Sequence, residues 1–193
     1  MKKLNFEETI KGLKDFGYCF PNPVRFEFQG AEQYLRLGLN YFCGGAAQWL
    51  PQYAAVAEWL SDNKGRGLLL MGSCGLGKTL IAGKLIPLLL YRYKRIAVIP
   101  FTAAQMNAKT DVVMSKRAVY IDDIGTENES VIYGQRRNAF AEVCDNAERK
   151  GNMLLLTTNL SVEELCKKYG ARVYDRLRSI TQIVEIKGQS LRK

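Results

Sequence analysis

Gly72-Ser73-Cys74-Gly75-Leu76-Gly77-Lys78-Thr79 is the stretch whose reading decides the fold. Gly72, Gly77, Lys78 and Thr79 stand at the spacing G-x-x-x-x-G-K-[ST] of a phosphate-binding loop. Residues 67–71 before it are a short apolar run that reads as a buried strand, and residues 79 to about 93 after it read as a helix. In that setting the glycines let successive backbone N–H groups turn inward, and the helix N-terminus adds partial positive charge. Lys78 then reaches the β- and γ-phosphates, and the Thr79 hydroxyl ligates Mg2+. The expected nucleoside triphosphate contacts are therefore Gly72, Ser73, Cys74, Gly75, Leu76, Gly77, Lys78, Thr79 and Leu80. Pro87 falls inside the following helix and should kink it or end its first part.

Around this loop the chain alternates strand and helix. Residues 96–99, 118–121, 153–156 and 182–186 read as further strands, with helices over about 135–149 and 162–169 between them. Strand runs this apolar, separated by helices, imply an α/β fold: a five-stranded parallel sheet with helices on both faces. Upstream, residues 5–17 read as a short helix capped by Asn5 with Glu8 three residues on, and Phe6, Ile10 and Leu13 on one face. Residues 24–28 alternate as a short strand would, residues 31–42 read as a helix, and residues 51–60 as another. The division expected is an N-terminal extension over 1–45, for packing or partner binding, and a nucleotide-binding domain over 46–193.

The bulk numbers narrow the setting. A chain of 193 residues with 47% apolar content suits one folded domain with a core of ordinary size. Neither a signal sequence nor a membrane-length apolar run is visible, so a cytoplasmic location is expected, with no membrane partner. Cys19, Cys43, Cys74, Cys144 and Cys166 are scattered and the chain has no histidine, a composition that suits free thiols and disfavours a zinc site. The absence of histidine also removes histidine general bases and triads. Residues 1–66 carry eight Lys/Arg against seven Asp/Glu, whereas residues 67–193 carry twenty against twelve, so +8 of the +9 net charge lies in the second part. Partners bearing phosphates fit that placement, single-stranded DNA among them.

Three further groups carry chemistry. Asp122 and Asp123 end an apolar strand that follows the phosphate-loop unit, the position from which such enzymes deliver an acid to Mg2+. Asp122, first off the strand, is assigned to the metal and Asp123 to orienting the attacking water. Asn159 ends another apolar strand in polar residues, where its amide suits the lytic water or the γ-phosphate. Arg172, Arg176 and Arg178 lie within seven residues. Their fixed charge suits a phosphoryl-transfer transition state, in cis or on a neighbouring subunit's nucleotide; it equally suits a solvated helix face with Asp175 paired to an arginine.

The phosphate loop, residues 119–127 (Val-Tyr-Ile-Asp-Asp-Ile-Gly-Thr-Glu), residues 156–160 (Leu-Thr-Thr-Asn-Leu) and residues 169–178 (Tyr-Gly-Ala-Arg-Val-Tyr-Asp-Arg-Leu-Arg) occur in this order. Together they resemble the AAA+ ATPases of the bacterial helicase loader group (DnaC-like) and its relatives, the IstB-like transposition helper ATPases. The match spans about residues 50–193. The resemblance implies a P-loop NTPase fold of AAA+/ASCE type with a short helical N-terminal extension. It makes Lys78 and Thr79 Walker A, Asp122 and Asp123 Walker B, Asn159 sensor 1, Arg176 the arginine finger and Arg192 a sensor 2 arginine. It further implies ATP hydrolysis with Mg2+ in a homo-oligomer, acting in replication or transposition with a replicative helicase or transposition protein as partner. A nucleoside kinase and a non-catalytic, ATP-gated adaptor are the rival readings.

Overall fold

The computed structural model describes residues 4–18, 20–127, 130–132 and 135–191. Among these residues five strands make one sheet: β1 (Gly67–Met71), β2 (Ile99–Thr102), β3 (Ala118–Asp122), β6 (Met153–Thr158) and β7 (Thr181–Glu185). A separate antiparallel pair, β4 (Ser130–Ile132) and β5 (Gln135–Arg137), lies between β3 and β6 in the chain. The five strands lie in the order β2-β3-β6-β1-β7, and every pairing is parallel. β1 is near the middle, so its C-terminal end is flanked by those of β6 and β7. The connections contribute the helices α1 (Phe6–Asp15), α2 (Ala31–Phe42), α3 (Tyr53–Ser61), α4 (Lys78–Leu80), α5 (Ile86–Lys94), α6 (Ala103–Ala108), α7 (Thr110–Met114), α8 (Ala139–Lys150), α9 (Val162–Tyr169) and α10 (Ala171–Ile180).

Alternation along each strand sends side chains to opposite faces. Leu68, Leu70, Tyr120 and Leu155 pack under α2, α3 and the helix leaving the phosphate loop, against Leu35, Leu39, Val56, Leu60, Ile81 and Leu90. Leu69, Ile121 and Leu156 share a register row and face the other way. They meet Phe140, Val143, Leu165 and Leu177 from α8, α9 and α10. The expected helices on both faces are thus present. Phe26, Phe28, Leu35 and Leu39 belong to the first of these clusters, so part of the segment before residue 46 shares the core of the sheet.

The structure corrects several boundaries. The second strand is Ile99–Thr102 rather than residues 96–99, and it is a largely exposed edge rather than a buried strand. The helix expected from residue 135 begins at Ala139, where the Asn138 side chain accepts from Ala141 N; residues 135–137 pair with 130–132 instead. Residues 24–28 make a single bridge, Glu27 to Asp62, and Asn63 replaces the missing strand partner: its Oδ1 accepts from Phe26 N at 2.9 Å and its Nδ2 donates to Val24 O at 2.8 Å. α1 begins at the Asn5 cap as expected, yet none of its residues is buried, Phe6 included.

The distortion expected at Pro87 is a π turn over Ile81–Leu85, directly before α5. Proline cannot donate to the carbonyl four residues back, and its ring crowds that carbonyl, so the helix widens ahead of it. The carbonyl belongs to Gly83, where a Cβ would stand 2.5 Å from the Tyr120 ring. Among the described residues no helix is long and apolar enough to cross a membrane. Cys43, Cys74, Cys144 and Cys166 are free thiols; Cys19 lies outside the described residues.

Candidate nucleotide-binding and catalytic site

The loop 72–79 leaves the C-terminal end of β1 and runs into α4. Gly72 has φ 137, and a Cβ there would lie 2.1 Å from the Ile186 carbonyl oxygen, so only glycine fits the exit beside β7. The Tyr53 hydroxyl, from α3, donates to Leu76 O at 3.0 Å and pins the loop's middle. Burial pushes the Tyr53 pKa up to about 12, which keeps that hydroxyl a donor. Lys78 is buried, and its Nζ donates to Gly72 O at 2.7 Å, Ser73 O at 2.8 Å and Asn159 Oδ1 at 2.8 Å. Leu191 N donates to Gly75 O at 3.0 Å, so the chain after β7 also meets the loop. A cleft of about 680 Å3 opens beside it, lined by Gly75–Leu80 together with Leu39, Ala46, Ala47 and Gln48. That volume suits a nucleotide.

The ends of β3 and β6 bring the acids to the loop. Thr79 Oγ1 donates to Asp122 Oδ1 at 3.1 Å, so the two residues assigned to Mg2+ touch. The same Oδ1 accepts from Thr157 Oγ1 at 2.7 Å and from the Tyr120 hydroxyl, while among the described residues no donor reaches Oδ2. A hydroxyl and a carboxylate oxygen side by side, with one carboxylate oxygen uncommitted, fit a hard cation such as Mg2+. Asp123 turns off the strand with φ 51, and its N–H donates to Thr157 Oγ1 at 2.9 Å. Asn159 Nδ2 donates to Asp123 Oδ1 at 3.1 Å. Lys78, Asn159 and Asp123 are therefore one hydrogen-bonded chain across β1, β6 and β3.

Sequence reasoning missed Tyr53, Thr157 and Tyr120. Tyr120 had a signal, because residues two apart on a strand share a face and Asp122 was already singled out. Burial pushes its hydroxyl pKa well above the ordinary tyrosine value, with the bond to Asp122 acting in the same direction, so it stays a donor. Tyr120→Phe keeps the ring against Gly83 and removes only that donor. The Mg2+ concentration that half-saturates ATP binding is expected to rise roughly 3- to 10-fold, the scale of one hydrogen bond to a charged group. Mg2+ titrations with a fluorescent ATP analogue measure it, and an unchanged midpoint removes Tyr120 from the site.

Beyond Asp123 the loop is tied to the end of α9. Glu127 Oε2 accepts from Gly125 N at 2.8 Å, and the Tyr169 hydroxyl donates to Glu127 Oε1. Lys168 Nζ donates to Gly125 O at 2.7 Å and to Glu127 O at 2.8 Å. Arg176, on α10, does not reach the phosphate loop of its own chain. Its Nε donates to Glu148 Oε2 at 2.7 Å and its Nη1 to Asp145, both on α8, so its carboxylate partners are these and not Asp175. The bond to Arg176 lowers the Glu148 pKa from its ordinary value. Arg172 and Arg178 are exposed on the same helix. Arg192 lies outside the described residues.

No family model matches this chain, and no curated protein does. Solved structures do. DnaI matches at 24% identity and a TM-score of 0.54, over 66% of this chain and 73% of its own. The DnaC helicase loader matches at 18% identity and a TM-score of 0.55, over 84% of this chain and 93% of its own. AMPPCP-bound DnaA from Aquifex aeolicus matches at 19% identity and a TM-score of 0.50, over 77% of this chain and 47% of its own. At these identities the likeness is one of fold.

Proposed function

We propose that the chain binds and hydrolyses ATP with Mg2+ and works in DNA replication or transposition, loading or remodelling a helicase or another DNA-bound partner. One observation carries the ATPase part. Lys78, Asn159 and Asp123 are joined by hydrogen bonds of 2.8 and 3.1 Å, beside the Thr79–Asp122 contact of 3.1 Å. A cation for the phosphates, a hydroxyl and acid for the metal, and an acid with an amide for the water thus meet where three strands end. Mg2+ held by Thr79 and Asp122 would offset charge on the phosphate oxygens. Lys78 Nζ donates to the carbonyls of Gly72 and Ser73, and phosphate oxygens would take their place. Asp123 would then accept a proton from, and orient, the attacking water, with Asn159 setting the direction of its carboxylate.

The partner part of the proposal rests on the fold shared with a helicase loader and on the basic excess of residues 67–193. Single-stranded DNA, a replicative helicase or transposition protein, and further copies of the chain are the proposed partners. Arg176 of one copy would complete the nucleotide site of the next. The proposed division is an extension over 1–45, with α1 at its exposed end, and an ATPase domain over 46–193. Asp123→Asn is the direct test of catalysis: ATP binding should persist while phosphate release falls at least ~100-fold, the general-base contribution. Asp122→Asn should instead weaken Mg2+-dependent binding. Turnover at the parent rate in Asp123→Asn would overturn the assignment, and phosphate transfer to a nucleoside in the parent would replace the ATPase with a kinase.

A further inference from the structure

The acid-free part of the chain is continuous. From Asn63 to Thr110 there are eight Lys/Arg and no Asp or Glu, so this segment alone accounts for a charge of +8. Two of these cations, Lys64 and Arg66, precede β1, and Lys78 serves the loop. Three others cluster at the end of α5, in Tyr91-Arg92-Tyr93-Lys94-Arg95, where all five residues are exposed. Among the described residues no carboxylate pairs with Lys84, Arg92, Lys94 or Arg95.

Beside this cluster runs an apolar groove of about 480 Å3 between α5 and the edge strand β2. Pro87, Leu88 and Tyr91 form one wall, and Val98 and Pro100 the other. Leu88 is 55% exposed and Tyr91 60%, an unusual amount of bare apolar and aromatic surface on one helix face. Lys84 lines both this groove and the nucleotide cleft. The groove therefore shares Lys84 with the nucleotide cleft, and Arg92, Lys94 and Arg95 follow its wall residue Tyr91 directly in the chain.

We infer that this groove is a binding site for single-stranded nucleic acid, with bases against Tyr91 and the apolar walls and the backbone phosphates on the flanking cations. Charge complementarity chooses the occupant, because an acid-free rim attracts a polyanion along its whole length. The floor chooses the strandedness. Stacking on Tyr91 and on Leu88 and Pro87 needs unpaired base faces, which a duplex does not offer. An added peptide strand is disfavoured, since β2 is four residues long and contains Pro100, both features that blunt a sheet edge. The inference rests on the proposal that the chain acts on DNA, but not on ATP turnover.

Its test is fluorescence anisotropy of a labelled oligo(dT) of about 20 nucleotides, with the full chain, across a salt series and with and without ATP. The parent should bind at low salt. Tyr91→Ala should weaken binding roughly 5- to 100-fold, the loss of one stacked base, while Tyr91→Phe stays near the parent. Arg92→Ala with Arg95→Ala should flatten the slope of log K against log salt by about 0.7 for each phosphate that is no longer neutralised. These side chains are exposed and lie outside the catalytic set, so ATP binding measured in parallel should be unchanged. Oligonucleotide binding that neither variant alters would overturn the site while leaving DNA binding in place. A duplex bound as tightly as the single strand, with no effect of Tyr91→Ala, would overturn the stacking. No binding by the parent in any state, together with self-association that Tyr91→Ala abolishes, would assign the groove to a second copy and overturn the inference. ATP turnover lost while oligonucleotide binding persists would sink the ATPase proposal alone.

Discussion

Lys78→Ala is expected to abolish ATP binding while leaving the sheet folded. The Nζ of Lys78 is held at 2.7 and 2.8 Å by the carbonyls of Gly72 and Ser73 and at 2.8 Å by Asn159, so these bonds fix its position over the loop. Two charge-assisted bonds to phosphate oxygens contribute about 3 kcal/mol or more, which corresponds to at least ~100-fold in affinity. Ser73 is exposed and Gly72 half-buried, so the carbonyls left behind can turn to water and the cost to stability is small beside the loss of binding. Titration calorimetry with ATP measures the affinity, and circular dichroism checks the fold. Asn159→Ala is the control that separates roles. It removes one partner of the lysine but no phosphate contact of the ammonium, and should bind ATP nearly as the parent does. Parent-like affinity in Lys78→Ala would remove the phosphate-loop assignment altogether.

The parts of this site that were legible in the sequence are those where chemistry and chain order coincide. Gly72, Gly77, Lys78 and Thr79 are fixed by local spacing, and Asp122 and Asp123 by the end of a single apolar run. Strands buried on both faces, such as β1 and β6, stood out because every residue in them is buried and apolar or is Thr157 or Thr158. The edge strand β2 did not. Its inner neighbour supplies register, Ile99 to Val119 and Thr102 to Asp122, while its outer side is open, so hydrophobicity misplaces it by three residues toward the more apolar 96–99. The β4–β5 pair was hidden for a different reason: Gln135, Arg136 and Arg137 continue the polar pattern of α8, and nothing local marks Asn138 as the cap that starts the helix.

Contacts made at a distance were the least visible. Thr157 lies in an apolar run as a β-branched residue like any other, yet its hydroxyl bonds both Asp122 and the Asp123 N–H. Tyr53 is a buried core residue of α3, and its hydroxyl nonetheless reaches the phosphate loop. The pairing of Arg176 depends on α8 and α10 lying side by side, a relation that sequence spacing does not encode. Local pattern finds the groups proposed to touch the nucleotide, whereas the groups that hold them require the packed sheet.

That pairing sharpens the expectation for Arg176→Ala. If Arg176 completes a neighbour's site, as proposed, it can be removed without disturbing the phosphate loop of its own chain, with which it makes no hydrogen bond. ATP binding should stay near the parent value and hydrolysis should fall ~10³-fold, the lower end of arginine-finger effects. In the single chain, however, its guanidinium is held by Glu148 at 2.7 Å and by Asp145, and its side chain is only 17% exposed. To reach a γ-phosphate it must exchange those carboxylates for phosphate oxygens, so the clamp between α8 and α10 would open as subunits engage. Two measurements separate a finger from a clamp. Mixing Arg176→Ala with Lys78→Ala at concentrations where subunits associate should restore part of the activity, because a mixed interface pairs an intact Lys78 with an intact Arg176. Asp145→Asn combined with Glu148→Gln should keep turnover at or above the parent rate, since it releases the guanidinium. If Arg176 only clamps the two helices, no mixture recovers activity, and the double carboxylate variant loses as much as Arg176→Ala itself.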